Sequence, residues 1–138
     1  MKKIIVIAVA VVCFITSSGI ILYATSSNDF ATTLEIDPTH ITKIRVKVPH
    51  GNTYKSTTDK DKINLLIQYF SEHSYSRVMN DEPGYMPMRA STIYLYEEDK
   101  MDFIIPYGSE VMINQKVYHV RHGKLENTII NEFYDALD

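Results

Sequence analysis

A run of 21 residues, from Ile4 to Ala24, contains no charged side chain, and it constrains the chain more than any other feature. As a helix that rises about 1.5 Å per residue, the run would span roughly 31 Å, the thickness of the hydrocarbon core of a bilayer. Lys2 and Lys3 precede it, and basic residues beside a membrane segment favour the cytoplasmic side. We therefore expect residues 4–24 to enter the lipid bilayer and the rest of the chain to lie outside the cytoplasm.

Two fates of this leader, residues 1–25, fit the sequence. As an uncleaved signal anchor, it would hold a single-pass protein in the cell membrane with the C-terminal domain outside. As a signal peptide, it would use Ile4 to Ile15 as its apolar region and be cleaved near Ala24 or in the Ser18-Gly19 dip, so that the domain is secreted. Residues 26–38 are predicted as a tether, and residues 39–138 as one extracytoplasmic domain.

The charge and cysteine content of the chain disfavour several classes of function. Removing Lys2 and Lys3 from the 14 basic residues leaves 12 against 17 acidic residues, a net charge of −5 outside the leader. This balance disfavours nucleic acid as a partner, because nucleic-acid binding needs a basic surface. The single cysteine, Cys13, lies in the apolar run, so the domain can form neither a disulfide nor a thiolate metal site. A cysteine-free exported domain indicates a bacterial protein.

The first half of the domain has the pattern of a hairpin and a helix. Residues 43–48 alternate basic and apolar side chains, which predicts a half-buried strand with a basic outer face. Residues 49–52 are a turn signal, and residues 53–57 are predicted as the returning strand. Thr58 and Asp61 fit a capping box at the start of a helix that should end near His73 or Ser74. Its apolar stripe is predicted from the spacing of Ile63, Leu66, Ile67 and Phe70, widened by Leu65 and Tyr69.

The second half reads as four strands and a last helix. The strands are predicted over residues 92–96, 101–105, 110–113 and 116–120, with the second of them ending at Pro106. The helix is predicted from the recurrence of Leu125, Ile129, Phe133 and Leu137, with Ile130 and Tyr134 beside them. The order ββ-α-ββββ-α predicts an α+β fold, in which a membrane segment precedes an antiparallel sheet with helices packed on one face.

The chain resembles the small extracytoplasmic domains of unknown function found in Bacillus-like Firmicutes. The resemblance rests on the lysine-led leader, on Ile41-Thr42-Lys43-Ile44-Arg45-Val46, on Thr57-Thr58-Asp59 at the helix entry, and on Val111-Met112-Ile113-Asn114-Gln115-Lys116-Val117-Tyr118. Many members of that group are lipoproteins with a lipobox, which this chain lacks. The resemblance implies an extracytoplasmic location and this fold, and it implies no activity.

The strongest functional signal is a long segment, residues 76–89, that shows no periodicity. Long irregular connections are often either functional or simply mobile, and tyrosine and methionine are favoured at binding surfaces. We therefore predict a non-catalytic interaction module that binds a protein or peptide outside the membrane. The predicted contact residues are Met79, Tyr85, Met86, Met88, Arg89, Tyr94 and Tyr96. The alternative interpretation of the tyrosines is that they pack at the edge of the core.

The alternative function is a small exported enzyme or a metal-dependent protein that uses His119 or His122 with a nearby acid. Residues i and i+3 of one strand point to opposite faces, so the two histidines could converge only where the strand has ended. The methionines of the 76–89 segment and the acidic turns have neither the number nor the spacing of copper or calcium ligands. No motif for a cofactor is present, so we predict no cofactor and no metal. A purely structural envelope protein is a third interpretation.

Overall fold

The computed structural model describes residues 28–78 and 89–138. The predicted membrane segment and four of the predicted contact residues, Met79, Tyr85, Met86 and Met88, lie outside these ranges. The described strands are β1 (Asn28–Asp29), β2 (Lys43–Lys47), β3 (Lys55–Thr57), β4 (Ser74–Arg77), β5 (Thr92–Glu97), β6 (Lys100–Tyr107), β7 (Glu110–Ile113) and β8 (Lys116–Arg121). The helices are α1 (Phe30–Thr33), a 3₁₀ turn (Pro38–His40), α2 (Lys60–Ser71) and α3 (Asn127–Asp135).

The described strands form a single sheet in the order β1-β4-β8-β7-β6-β5-β2-β3. Every neighbouring pair is antiparallel, which confirms the predicted α+β class with an antiparallel sheet. Tight turns connect several of the neighbours. Between β7 and β8, Asn114 and Gln115 both have positive φ values of 47° and 67°. Positive φ at both central residues is the geometry that matches a two-residue hairpin to the twist of its strands.

The core lies on one face of the sheet. Ile44 and Val46 of β2 pair with Leu95 and Ile93 of β5, and all four are buried. The same apolar cluster includes side chains of both α2 and α3. Those contributed by the helices are Ile63, Leu66 and Phe70 from α2 and Ile130, Phe133 and Tyr134 from α3. Because the two helices and this sheet face share one cluster, the opposite face of the sheet is free of α2 and α3.

Helix α2 differs in detail from its prediction. The side chain of Asp59, rather than that of Thr58, caps the helix by accepting a hydrogen bond from the N–H of Asp61 at 2.9 Å. Leu65 was predicted to widen the apolar stripe, and this is wrong, because its side chain is 60% exposed. Each residue turns the helix by about 100°, so Leu65 is carried away from the face on which Leu66 is fully buried.

Helix α3 also buries a narrower stripe than the sequence predicts. Ile130, Phe133 and Tyr134 are buried, whereas Ile129 is exposed, so the predicted recurrence every four residues is wrong at Ile129. Leu125 is buried before the helix begins. Its N–H donates to the carbonyl of Gly108 at 2.9 Å, which attaches the entry of α3 to the end of β6.

Strand β4 occupies residues in which the sequence shows no periodicity. Ser74–Arg77 pairs with β8, so the first two residues of the predicted irregular segment, Ser76 and Arg77, belong to a strand. Tyr75 is fully buried at its centre, and its hydroxyl donates to the carbonyl of Phe70 at 2.7 Å. Strand β6 likewise continues through Pro106, which pairs with Val111. Its pairing with β5 ends at Ile104, so the missing N–H of Pro106 costs no hydrogen bond on that side.

The described part of the predicted tether is packed against the domain. Strand β1 pairs with β4, and Phe30 is buried, with its ring stacked on that of Phe70 at 5.2 Å between centroids. Ile36 is buried as well. Burial of a large aromatic ring and a branched aliphatic side chain offsets part of the conformational entropy that the chain loses by being ordered there. Residues 28–36 therefore contribute to the fold.

Candidate binding face

The free face of the sheet carries a row of basic residues along β2. Lys43, Arg45 and Lys47 alternate with the buried Ile44 and Val46, and all three basic side chains are exposed. Across the sheet, Lys43 pairs with Tyr96 and Arg45 pairs with Tyr94 of β5. Residues that pair directly across antiparallel strands point to the same face, so cations and tyrosines share this surface.

Tyr54 completes the surface from the turn before β3. Its ring lies 4.4 Å from Cζ of Arg45 and 5.4 Å from Nζ of Lys47. It also lies 5.9 Å from the ring of Tyr94, measured between centroids. On the other side of the row, Nζ of Lys43 lies 5.4 Å from the ring of Tyr96. We call the surface formed by Lys43, Arg45, Lys47, Tyr54, Tyr94 and Tyr96 the basic–aromatic face.

The cations of this face have no acidic partner among the described residues. No ion pair within residues 28–78 and 89–138 reaches Lys43, Arg45 or Lys47. Positions i and i+2 of a strand lie about 6.6 Å apart, within the Debye length at physiological salt, so the three charges repel one another. A domain with an excess of acidic residues therefore presents one row of uncompensated positive charge.

Tyrosine adds polar tips to this surface. Burial, followed by the neighbouring Tyr54 hydroxyl, raises the pKa of Tyr94, while the positive charge of Arg45 acts in the opposite direction. The Tyr94 hydroxyl therefore remains protonated at neutral pH. Two rings with hydroxyls beside a guanidinium give a surface that can contact both apolar and anionic groups.

The apolar character continues into the middle of the same face. Tyr94 pairs with Phe103 of β6, which is partly buried. Ile105 of β6 pairs with Met112 of β7, and both side chains are buried although neither belongs to the main core cluster. On the free face, the basic side chains at β2 are therefore open to solvent, whereas the apolar side chains of Ile105 and Met112 at β6 and β7 are buried.

The structure brings together only some of the predicted contact residues. Tyr94 and Tyr96 lie on the basic–aromatic face, and Arg89 is exposed in the turn that precedes β5, with no described contact to either. The sequence indicates that residues 43, 45 and 47 form a basic outer face, without indicating which tyrosines accompany them. Tyr54 was not predicted as a contact residue, because its position in the sequence does not show that its ring reaches across β2 to Tyr94.

His119 has an acidic neighbour in the same free face. Its Nδ1 lies 3.4 Å from Oε1 of Glu110, and the two residues are paired across β8 and β7. Both side chains are open to solvent, at 50% and 38% exposure. His122 follows β8 in a left-handed turn, with φ of 59°, and it makes no hydrogen bond or ion pair with a described residue. The two histidines therefore belong to different local structures.

Ser76 pairs with His119 on the side away from Glu110, so Ser76, His119 and Glu110 follow one another across β4, β8 and β7. This is the order of a serine triad. The Ser76 hydroxyl, however, accepts a hydrogen bond from Nε of Arg121 at 2.9 Å, and the residue is only 3% exposed. A nucleophile must reach its substrate, so this row is not arranged for attack by Ser76.

A cleft of about 400 Å³ lies near the 3₁₀ turn, and His40 and Glu97 are among the residues that line it. Nδ1 of His40 lies 3.3 Å from Oε1 of Glu97, and the other oxygen of Glu97 accepts the N–H of Asp37 at 3.1 Å. These contacts connect the 3₁₀ turn to the end of β5. Hydrogen bonds from Thr39 lower the pKa of Asp37. Within the described ranges, no three histidine or acidic side chains are placed to hold a metal ion.

Comparisons with protein-family models, with curated proteins and with solved structures find no match to this chain. No helix within residues 28–78 and 89–138 is both long and apolar enough to cross a membrane. The fold and the free face of the sheet are therefore the observations from which a function can be inferred.

Proposed function

We propose that this protein is a non-catalytic binding module of bacterial origin that works outside the cytoplasm. Residues 4–24 would either anchor it in the membrane or direct its secretion, and a protein or peptide partner would occupy the basic–aromatic face. The observation that carries the proposal is the row of Lys43, Arg45 and Lys47, which lies among tyrosine rings without an acidic partner among the described residues.

The composition of this face matches what binding surfaces use. Tyrosine and arginine are enriched at protein interfaces, because both combine a large contact area with groups that form hydrogen bonds. The Tyr54 ring contacts both Tyr94 and Arg45, so part of the side-chain entropy of binding is already lost in the free protein. A partner would therefore meet a surface that is ordered before the encounter.

A photocrosslinking experiment tests the proposal in cells that express the full chain. A photoreactive phenylalanine analogue replaces Tyr54 in one variant and Leu65 in a control variant, because Leu65 is exposed on α2, away from the free face. We expect position 54 to form a defined crosslinked product that position 65 does not form. The same product should weaken when Arg45→Glu is added to the position-54 variant.

Equal products from positions 54 and 65, or products that do not respond to Arg45→Glu, would contradict the proposal. Far-ultraviolet circular dichroism and thermal unfolding of each variant establish that the fold is retained. Mass spectrometry of the product would also report whether the leader is still attached.

A small exported enzyme remains the second candidate, because Glu110 lies within reach of His119. In that function the imidazole would accept a proton from a water molecule and Glu110 would orient the ring. Both side chains lie on an open surface, so water is not excluded from this pair. The enzyme is therefore a weaker candidate than the binding module. Loss of a hydrolytic activity in His119→Ala, with Lys124→Ala unchanged, would favour the enzyme.

A further inference from the structure

We propose that the ligand of the basic–aromatic face is an extended acidic protein segment whose carboxylates recur at every second residue and lie along β2. This inference rests on the proposed function and specifies the chemistry of the partner. The described residues that carry it are the three cations of β2 and the tyrosines that contact them.

The spacing of the cations defines the spacing of the ligand charges. Lys43, Arg45 and Lys47 occupy alternate positions of one strand, so adjacent charges are about 6.6 Å apart and the row is about 13 Å long. An extended peptide also places alternate side chains about 6.6 Å apart on one side. A segment with an acidic residue at every second position can therefore meet all three cations without bending.

The tyrosine contacts prepare Arg45 for a carboxylate. Its guanidinium lies 4.4 Å from the Tyr54 ring, which holds one side of the planar group against an apolar surface. The N–H groups at the edge of the guanidinium remain free, because the Arg45 side chain has no hydrogen bond with a described residue. Edge-on, two-pronged contact is the geometry in which arginine binds carboxylates most strongly. Lys43 and Lys47 would each add a less directional contact on either side.

A lipid surface fits this arrangement less well than a narrow protein segment. Strand β1, through which the chain enters from the predicted membrane side, is six strands away from β2 in the sheet. At about 4.8 Å per strand, that separation is roughly 29 Å along the sheet. Glu110 lies on the same face as the cations, so a flat anionic surface would also approach a carboxylate. A segment that follows β2 avoids this repulsion.

The acidic turn of a second copy of this chain is a poorer match. Glu97, Glu98 and Asp99 are consecutive and lie at the end of β5 and in the turn that follows, so their carboxylates do not recur along an extended backbone. Binding between copies would also give a concentration-dependent dimer, which sedimentation of the full chain would detect.

The test measures binding of labelled peptides to the full-length chain in a neutral detergent at low salt. In the first peptide glutamate alternates with threonine, a residue that favours extended backbone. In the second, the same residues are arranged with the glutamates in one block. With three glutamates in each peptide, we expect the alternating peptide to bind at least roughly tenfold more tightly, because an extended backbone places all three of its carboxylates on one side but only two of those in a block.

Three variants test whether peptide binding depends on the charge at position 45 rather than on the fold or on the net charge of the chain. Arg45→Glu should weaken binding of the alternating peptide by roughly tenfold or more, since a charge-assisted contact becomes a repulsion. Arg45→Gln removes the charge but keeps most of the side chain in place. Its affinity for the alternating peptide should therefore lie between those of Arg45→Glu and the unaltered chain. Lys124→Glu makes the same change in net charge at an exposed loop position and should bind as the unaltered chain does.

Equal binding of the two peptides, or an equal effect of Lys124→Glu, would overturn the acidic-segment proposal. Tighter binding to vesicles of anionic phospholipid than to the alternating peptide, or a dimer that excludes the peptide, would overturn it in favour of those occupants. If the peptides fail while crosslinking at position 54 still depends on Arg45, the proposed function stands and only this ligand chemistry is wrong. Failure of both experiments would remove both.

Discussion

The buried carboxylate of Asp102 accepts a hydrogen bond from the backbone N–H of Glu35 at 2.8 Å, which joins β6 to the segment that follows α1. The same oxygen accepts the N–H of Ile36 at 3.1 Å, and the other oxygen accepts Nδ2 of Asn114 at 2.7 Å. Asp102 is only 1% exposed and lies on the core face of the sheet, opposite Leu95. A buried charge is tolerated here because three donors replace the water that it loses.

Asp102→Ala should therefore destabilise the domain strongly. The substitution leaves two backbone N–H groups and one amide without their acceptor, and each unsatisfied buried group costs about 1–3 kcal/mol. We expect the free energy of unfolding in urea to fall by about 3 kcal/mol or more. Asp99→Ala, in the exposed turn between β5 and β6, is the control and should stay within about 0.5 kcal/mol of the unaltered chain. Equal stability of the two variants would show that Asp102 does not hold the segment.

Asp102 also shows where sequence patterns stop being informative. Alternation identified the strands around Ile44, Val46, Ile93 and Leu95, because one face of each strand is apolar and the period is that of a strand. Asp102 occupies a core position in such an alternation, and a charged residue there suggests a solvent-facing site. Its burial becomes favourable because the N-terminal segment returns and brings the N–H groups of Glu35 and Ile36 to it, while Asn114 supplies a third donor.

The same limit explains the missed elements. Strand β4 contains one large buried ring, Tyr75, among small and polar residues, so its sequence carries no hydrophobic period. Phe30 stands alone in a polar stretch, and its burial depends on Phe70, forty residues later. Tyr54 reaches Tyr94 across β2 through the shape of the hairpin. In each case a long-range contact determines whether the residue is buried. The spacing of residues in the local sequence does not predict such a contact.

Tyr75 should make the domain sensitive to alkaline pH. Its burial raises the pKa of its hydroxyl above the ordinary value of 10.0, because the charged phenolate would lose its hydration. Above about pH 10 the unfolded chain releases this proton while the folded chain keeps it, so the free energy of unfolding falls as the pH rises. Below that pH both states are protonated and this contribution is constant.

Tyr75→Phe should remove part of this pH dependence. At neutral pH the variant loses the hydrogen bond to the carbonyl of Phe70, at a cost of about 1 kcal/mol. Between pH 8 and about pH 11 its urea midpoint should decline less steeply than that of the unaltered chain. Tyr96→Phe, on the free face, is the matched control. An identical slope in Tyr75→Phe and the unaltered chain would show that Tyr75 is not the residue that couples stability to pH.

Gly51 fixes how closely the hairpin between β2 and β3 approaches α3. A Cβ atom at this position would lie 2.5 Å from the hydroxyl oxygen of Tyr134, whose hydroxyl donates to the carbonyl of Thr53 at 2.8 Å. Gly51→Ala should therefore push the turn away from the helix and break this bond, at a cost of about 1–3 kcal/mol in unfolding free energy. Asn52→Ala, next to it and exposed, should cost less than about 0.5 kcal/mol. If Gly51→Ala were as stable as the control, the turn would not pack as closely against Tyr134 as the structure shows.

The row of cations on β2 should carry a cost in stability, because like charges at alternate positions repel each other in the folded strand and separate in the unfolded chain. Lys47→Glu replaces one repulsion with an attraction to Arg45, two residues away on the same face. It gives up only a 5.4 Å contact with the Tyr54 ring. At low salt we therefore expect Lys47→Glu to be as stable as the unaltered chain or more stable, by up to about 1 kcal/mol. The difference should shrink at high salt, where both interactions are screened.

The same variant should lose binding of the alternating acidic peptide, so that stability and binding change in opposite directions. A Lys47→Glu variant that is less stable by more than about 1 kcal/mol at low salt would mean that Lys47 supports the fold rather than a partner.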